Sequence, residues 1–358
     1  MTRIDLIILS RIASRIFLTL LIFYGLILLV ESIDNWRYSM LASIGGWQFA
    51  AFGMFAAAAG WLMRALPLIV LVGTAIGVID LQSRRELTAV KAAGMSIWRI
   101  LRAPTVAILL AGLVITFYGE GLVTSANRLL DETVPIPDVT PSLTPSAGLW
   151  LEQVANGERY ILQASHVTGS GQQLQGVTIF LPDGLNEGRI LAPAAKLVGG
   201  AWLMPTATRY RAGLPPLQLV NFSMPTDTTP SDLRLKINST DDMTLFELAS
   251  SLAGNMSDTQ LRNAAMTRFL RLLSLPVLLV GSLFIAFAFT AGYRRARGYG
   301  GPIIYSILIG FVVFVISEMA DRAGSAGVLS PMFAACGPAF VALVIGLTVL
   351  LYKEDGWA

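Results

Sequence analysis

Few side chains in this sequence could do covalent or metal chemistry. Its 358 residues contain one histidine, His166, and one cysteine, Cys336. One of each cannot build a His/Cys metal site, a Ser–His or Cys–His catalytic pair in workable geometry, or an intramolecular disulfide. His166 falls in an alternating run that reads as a strand, where a structural or surface role outweighs that of ligand or base. No Gly-Lys dipeptide occurs, so the Gly-Lys-Ser/Thr loop that cradles nucleotide phosphates is missing. Inventory leaves an all-carboxylate site open, yet no two carboxylates share a face of an apolar run. The expectation is no catalytic residue, no metal and no cofactor.

The one polar constellation with a clear pattern runs from Ser83 to Trp98. Ser83-x-x-Glu86 has the spacing of a capping box, in which serine and glutamate each satisfy a backbone N–H of a helix's first turn. Leu87, Val90 and Gly94, with Ile97 and Trp98 beyond, recur at helical intervals on one side, and Arg84, Arg85, Thr88 and Lys91 fall elsewhere. Gly94 suits a helix C-terminus, and Ser96 can start the next helix. Two readings stay open on spacing alone. One is an interfacial helix with Glu86 as cap, anchored to anionic lipid by arginines. The other is a helix pushed by something outside the chain, as the driven part of a machine.

The elements that hold this insert are apolar. Hydrophobic residues make up 54% and charged ones 14% of the chain, against about a quarter charged in soluble domains. Runs of the ~20 residues needed to cross a bilayer as a helix are expected at 12–30, 66–79 (extended upstream through 50–63), 100–123, 269–291, 302–320 and 331–352, six in all. The first is too long and too late for a cleaved signal peptide. Twelve basic residues (Arg3, Arg11, Arg15, Arg84, Arg85, Lys91, Arg99, Arg102, Arg294, Arg295, Arg297 and Lys353) fall on one side of these spans. The opposite short connections hold only Arg37, Arg64 and Arg322. By the positive-inside rule both termini and the 83–98 insert are cytoplasmic. The net charge of +3 thus reflects topology and not nucleic-acid binding.

Residues 124–268 differ in character, with Pro135, Pro137, Pro141 and Pro145 followed by short runs of apolar alternation. Strands are expected at 160–167, 177–181, 201–210, 217–224 and 233–237, forming a β-sandwich or jelly roll. Some runs are apolar on both faces, as with Leu217 and Leu219 against Val220 and Phe222. Either an open apolar groove or a well-covered core accounts for this. Helical spacing resumes at Leu245, Leu248 and Leu252. The expected organisation is 1–130 with spans one to three, 131–260 as an external β domain, and 261–358 with spans four to six.

Arg85-Glu86-Leu87, Ala92-Ala93-Gly94-Met95-Ser96 and Arg99-Ile100 resemble the cytoplasmic segment of the lipopolysaccharide-export permeases LptF and LptG. Gly119-Glu120, Gly148-Leu149-Trp150-Leu151, Leu174-Gln175-Gly176-Val177-Thr178-Ile179-Phe180 and Gly310-Phe311-Val312-Val313-Phe314 extend the resemblance along nearly the whole chain. The Gly-Leu-Trp run and the short tail look more like LptG than LptF. The resemblance implies a multi-pass protein of the bacterial inner membrane, with six helices and a periplasmic jelly roll between the third and fourth. The implied partners are an LptF-like permease, two LptB-type ATPase subunits, and LptC, a single-span protein with a jelly roll of its own. In that scheme Glu86 is the coupling-helix carboxylate that meets the ATPase. Arg85, Leu87, Val90, Ala93 and Gly94 surround it as partner contacts.

The implied substrate is lipopolysaccharide, entering between span one of one subunit and span five of the other. Its phosphates call for guanidinium groups near the outer leaflet, and Arg37, Arg64 and Arg128 are the candidates, with Arg262, Arg268 and Arg271 leading into span four. Each could instead snorkel to the interface or pair with Glu31, Asp34, Asp131 or Glu132. Family members carry basic residues at the outer end of span one, where this chain has Glu31 and Asp34. Phe23, Leu26 and Leu29 in span one, with Ile307, Phe311 and Val315 in span five, are the expected walls for acyl chains. Glu318, Asp321 and Arg322 read as a local ion-pair cluster. The alternatives are an LptF-type paralogue, a non-transporting scaffold of ABC type, and a membrane enzyme, the last disfavoured by the missing catalytic groups.

Overall fold

The structure, a computed structural model, describes residues 3–33, 35–133, 149–155, 158–168, 173–181, 188–211, 213–226, 243–253, 259–290 and 300–354. Backbone contacts divide the chain into two compact units. One comprises residues 1–134, 244–246 and 263–358, and the other 135–243 and 247–262.

The first unit is helical because its sequence is apolar for longer than any strand needs, and in lipid each backbone group must be satisfied within its own segment. Helix α1 spans Arg3–Ile33 and α2 Asn35–Ser83. The short α3 is Glu86–Ala92, and α4 is Ile97–Val114. A π-helical turn at Ile115–Gly119 joins α4 to α5, Glu120–Thr133. After α6, Leu245–Ala253, most of which belongs with the first residues of α7 to the second unit, come α7, Thr259–Thr290, α8, Gly300–Ser325, and α9, Pro331–Glu354. Gly46 kinks α2 with a φ of 74°, a left-handed conformation open to glycine.

Among the described residues five stretches are long and apolar enough to cross a bilayer: Ile4–Ile33, Gly45–Ser83, Ile97–Leu130, Thr259–Thr290 and Pro331–Tyr352. The span expected at 302–320 falls on α8, which is not one of the five. Expected spans two and three are longer than their sequence limits, since both helices continue past the apolar run.

Small residues set the packing of these helices, as expected where no hydrophobic effect drives association. Gly73 and Gly77, one turn apart on α2, receive the backbone of α1. A Cβ on Gly73 would lie 2.6 Å from Ile16 Cα, and one on Gly77 would lie 3.2 Å from Ile12 Cα. Gly281 of α7 and Gly346 of α9 do the same for each other's helix. One buried cluster joins Ile8 and Ile12 of α1, Leu66 to Leu81 of α2, Leu87 of α3, Ile97 to Ile108 of α4 and Leu279 to Ala288 of α7.

The second unit is a six-stranded antiparallel sheet, β1 Leu149–Ala155, β2 Glu158–Thr168, β3 Gln173–Leu181, β4 Gly188–Val198, β5 Ala201–Tyr210 and β6 Leu217–Pro225, paired in sequence order. Four expected strands match β2, β3, β5 and β6, and the fifth, at 233–237, lies outside the described residues. β4 was not expected. Its Pro193 weakens the strand signal, but the proline sits where the β4–β5 ladder is open, since 189–191 and 196–198 are paired with β5 and 192–195 are not. The described strands form a meander, coarser than the jelly roll expected, whose Greek keys pair strands distant in sequence.

The inward–outward alternation slips by one residue along a line across four strands. Gln175-Gly176, Pro193-Ala194, Pro205-Thr206 and Val220-Asn221 each present two successive outward residues, and their registers align. Gly176 and Asn221 take φ of 61° and 51° there. A Cβ on Gly176 would meet Ser165 Oγ at 2.7 Å. The slip lets both ends of each strand turn apolar side chains onto one core that includes Tyr160, Leu174, Val177, Ile190, Trp202 and Met204. It also explains why β6 reads as apolar on both faces: Leu219 and Phe222 flank the slip on the inner side, and Val220 points out. Tyr160 and Trp202 are fully buried, which is the covered core of the two readings. Gln153 Oε1 accepts from the Tyr160 hydroxyl at 2.6 Å, the Trp202 indole N–H at 3.0 Å and the Thr226 hydroxyl at 2.5 Å, satisfying polar groups inside that core.

Candidate functional site

The 83–98 insert forms a sharp corner with a separate helix at its tip. Arg85, at φ 60°, breaks the chain after α2, and Gly94, at φ 79°, closes α3. The capping box is not formed. Ser83 ends α2 and its hydroxyl donates to the Asp80 carbonyl at 2.8 Å. Arg85, with no side-chain cap, occupies the N-cap position of α3. The left-handed residue between Ser83 and Glu86 carries the serine away from the N–H it was expected to satisfy. Ser96 does take the N-cap position of α4, though its hydroxyl makes no cap bond. Seven residues are too few for an independently stable helix, so packing must hold α3 in place.

That packing comes from Leu87. Only 4% exposed, it lies in the buried cluster with Ile8, Ile12, Leu81 and Ile97, and Val90 packs partly against it. Leu87, expected among the partner contacts, turns its side chain into the unit's own core. Arg85, Ala93 and Gly94 are exposed, as are Thr88 and Ala89. Glu86 is half-buried. Its Oε1 lies 3.7 Å from the Arg11 guanidinium of α1, and its Oε2 is buried with no hydrogen-bond partner among the described residues. Asp80 receives Arg15 at 3.2 Å and Arg84 at 3.4 Å. Gln82 donates to the Thr290 carbonyl at 2.9 Å, capping the end of α7. Sequence reading overlooked Arg11, Arg15 and Asp80 as a group. The signal was an aspartate at the end of one apolar run and two arginines one helical turn apart at the start of another, of which Arg15 meets Asp80 and Arg11 meets Glu86.

Arg64 lies 19 residues from Ser83 along α2, about 28 Å at the helical rise and close to one hydrocarbon thickness. It is half-buried, with its guanidinium 5.2 Å from the Trp61 ring centroid. Arg128 is half-buried on α5, and the Arg37 side chain lies outside the described residues. Arg268 and Arg271 are committed internally. Arg268 bonds Glu120, with side chains 13% and 12% exposed, and Arg271 bridges Asp321 and Glu318. For these two arginines pairing within the chain prevails over head-group binding, with partners other than the four carboxylates expected. Glu318, Asp321 and Arg322 do cluster, around Arg271 of α7. One turn from the Arg268–Glu120 pair, the Thr116 hydroxyl in the π turn donates to the Leu272 carbonyl at 3.1 Å.

Of the expected acyl walls, Leu26, Leu29, Ile307 and Phe311 are exposed, and Phe23 and Val315 are half-buried. Helix α1 packs chiefly on α2 and α4, and α8 on α2 and α9. The two wall sets thus belong to helices that flank α2 separately.

These features define a polytopic membrane protein with a charged surface helix between two spans and an antiparallel sheet inserted between its helical halves. Among the described residues no group of His, Cys, Asp and Glu could hold a metal ion. The family model described as lipopolysaccharide export system permease LptF/LptG matches residues 6–352, and the chain belongs to that family. No curated protein matched the chain. LptF/LptG permeases are non-catalytic transmembrane subunits of the Lpt ABC transporter, and lipopolysaccharide export is the function of this one.

Proposed function

We propose that the chain is the LptG-type permease, pairing with an LptF-like homologue, two LptB-type ATPases and an LptC-type single-span protein. It extracts lipopolysaccharide from the outer leaflet of the inner membrane and passes it to a periplasmic bridge of jelly rolls. Helix α8 serves as the sixth span, with both termini cytoplasmic and the sheet unit periplasmic. The limits 1–130, 131–260 and 261–358 separate these parts, and the sheet unit is of jelly-roll type. The absence of a Gly-Lys loop leaves ATP hydrolysis to the partner.

The observation that carries this reading is α3, a short helix held by its apolar side in the core of the membrane unit with its other side exposed. Arg85, Glu86, Ala93 and Gly94 form the contact for the ATPase, and Leu87 and Val90 anchor the helix from within. Uncovered apolar side chains on α1 (Leu26, Leu29) and α8 (Ile307, Phe311) support a cavity completed by the homologous subunit, with Phe23 and Val315 at its margins. Arg37, Arg64 and Arg128 serve the phosphorylated head group.

Copurification in mild detergent tests the reading. A second six-span chain and a small ATPase are expected with the unsubstituted protein. Glu86→Ala should lower ATPase recovery or its stimulated turnover about fivefold or more, the scale of a coupling of ~1 kcal/mol. Recovery of neither partner would refute the reading, and unchanged recovery and turnover in Glu86→Ala would remove that residue from it.

A further inference from the structure

We infer that Arg11, Arg15 and Asp80 are positioning residues for transport, fastening one half of α1 to the α2–α3 corner so that a push on α3 is delivered to α1. The inference rests on the proposed role of α3 as the site where ATP-derived force arrives. Arg11 and Arg15 lie one turn apart and so share a face of α1. Arg11 reaches Glu86 at the start of α3, and Arg15 reaches Asp80 at the end of α2. The two pairs therefore span the corner from both sides of its break at Arg85.

Beneath these charges the contact is apolar and close. Leu87 shares a buried cluster with Ile8 and Ile12. Gly77 leaves room for Ile12 Cα and Arg15 Cβ, which a Cβ would meet at 3.2 and 3.7 Å. Apolar packing is non-directional and tolerates a helix sliding or turning about its axis. Ion pairs to two fixed carboxylates do not, so they set the register and rotation of α1 against α3. The other half of α1 carries different ties to α2, namely Ile16 against Gly73 and a hydrogen bond from the Tyr24 hydroxyl to the Phe55 carbonyl at 3.2 Å, while its outward side chains Leu21, Leu26, Leu29 and Ile33 are exposed. Registered at the corner by two ion pairs and packed along α2 beyond it, α1 moves with the corner, so that displacement applied at α3 is carried along α1.

Each pair is partly solvated. Side-chain exposures are 40% and 35% for Arg11 and Glu86, and 33% and 17% for Arg15 and Asp80. The Arg11–Glu86 pair is exposed enough to contribute little to folding stability, and Asp80, though more shielded, keeps Arg84 at 3.4 Å as a second cation when Arg15 is lost. Breaking one is therefore expected to leave the chain folded and to appear in coupling, which separates a positioning role from a structural one.

The test places spin labels at Ser14→Cys and Ala92→Cys, both exposed positions, on a Cys336→Ser background in the purified complex. A single narrow α1–α3 distance is expected, identical without nucleotide and with trapped nucleotide. Arg15→Asp should broaden it. The charge swap Arg15→Asp with Asp80→Arg should narrow it again, with Arg84, half-exposed, free to turn into water. In parallel, Arg15→Asp should lower lipid released per ATP about fivefold or more with ATPase capture and turnover unchanged, and the swap should restore it. A label distance that shifts with nucleotide in the unsubstituted chain, that ignores Arg15→Asp, or that the swap fails to restore would overturn the inference. A chain that captures no ATPase would instead refute the functional reading. The label distances of the isolated chain and its Arg15→Asp variant would still decide whether the fastening exists.

Discussion

Leucine in place of Gly73 is expected to prevent recovery of a monodisperse, folded chain, and leucine in place of Gly25 is expected to be tolerated. At Gly73 the first atom of any side chain would stand 2.6 Å from Ile16 Cα, and at Gly25 it meets nothing within 4 Å. The obstacle at Gly73 is backbone, which cannot rotate away as a side-chain end could. Relief requires α1 to lift from α2, which also opens the Gly77–Ile12 contact one turn below. Overpacking that forces a backbone shift costs about 1–3 kcal/mol and occasionally more, and here two adjacent glycine contacts open together. The measurement is the monodisperse fraction in detergent and its thermal midpoint. Gly73→Leu behaving like Gly25→Leu would mean that α1 does not rest on α2 in the folded protein.

The second large effect is expected at Arg268. Removing it in Arg268→Met strands the Glu120 carboxylate, 12% exposed, near the boundary of the span. Deleting one member of a buried ion pair costs about 3–5 kcal/mol, mostly through the charge left uncompensated. Removing both charges in Arg268→Met with Glu120→Leu should recover most of the loss, because two matched apolar side chains need no partner. Thermal unfolding of the two single variants and the double variant supplies the cycle. Additive losses would contradict the pairing. The Thr116–Leu272 bond one turn away makes this the second of two adjacent ties between the α4–α5 rod and α7.

The contrast between these sites shows which features can be read from a sequence. Long apolar runs announce helices without reference to anything else, and the glycines that let them approach are visible as Gly73-x-x-x-Gly77. The strands β2, β3, β5 and β6 were legible because alternation is local. β4 was not, because its proline is harmless only where the ladder to β5 is open, and that depends on the register of a neighbour. The capping box at Ser83 and Glu86 failed for a related reason. The motif assumes one continuous helical start, and the left-handed Arg85 splits its two residues between α2 and α3. The apolar side of α3 that carries Leu87 is covered by this chain's own core, and amphipathic spacing cannot say whether such a face is covered by the same chain or by another. The arginines taken for head-group ligands divide likewise. Which of them find a carboxylate within the chain depends on contacts between α7, α5 and α8, far apart in sequence.

The central claim is that a chain without catalytic groups moves lipopolysaccharide using force that enters at α3. Its most direct test reconstitutes the purified complex in vesicles containing lipopolysaccharide and follows ATP-dependent transfer of that lipid to a soluble acceptor. Transfer is expected with ATP and not with a non-hydrolysable analogue, and it should fall with Glu86→Ala while the sheet unit remains folded. Equal transfer with and without hydrolysis, or ATP turnover by the intact complex with no lipid transferred, would contradict it.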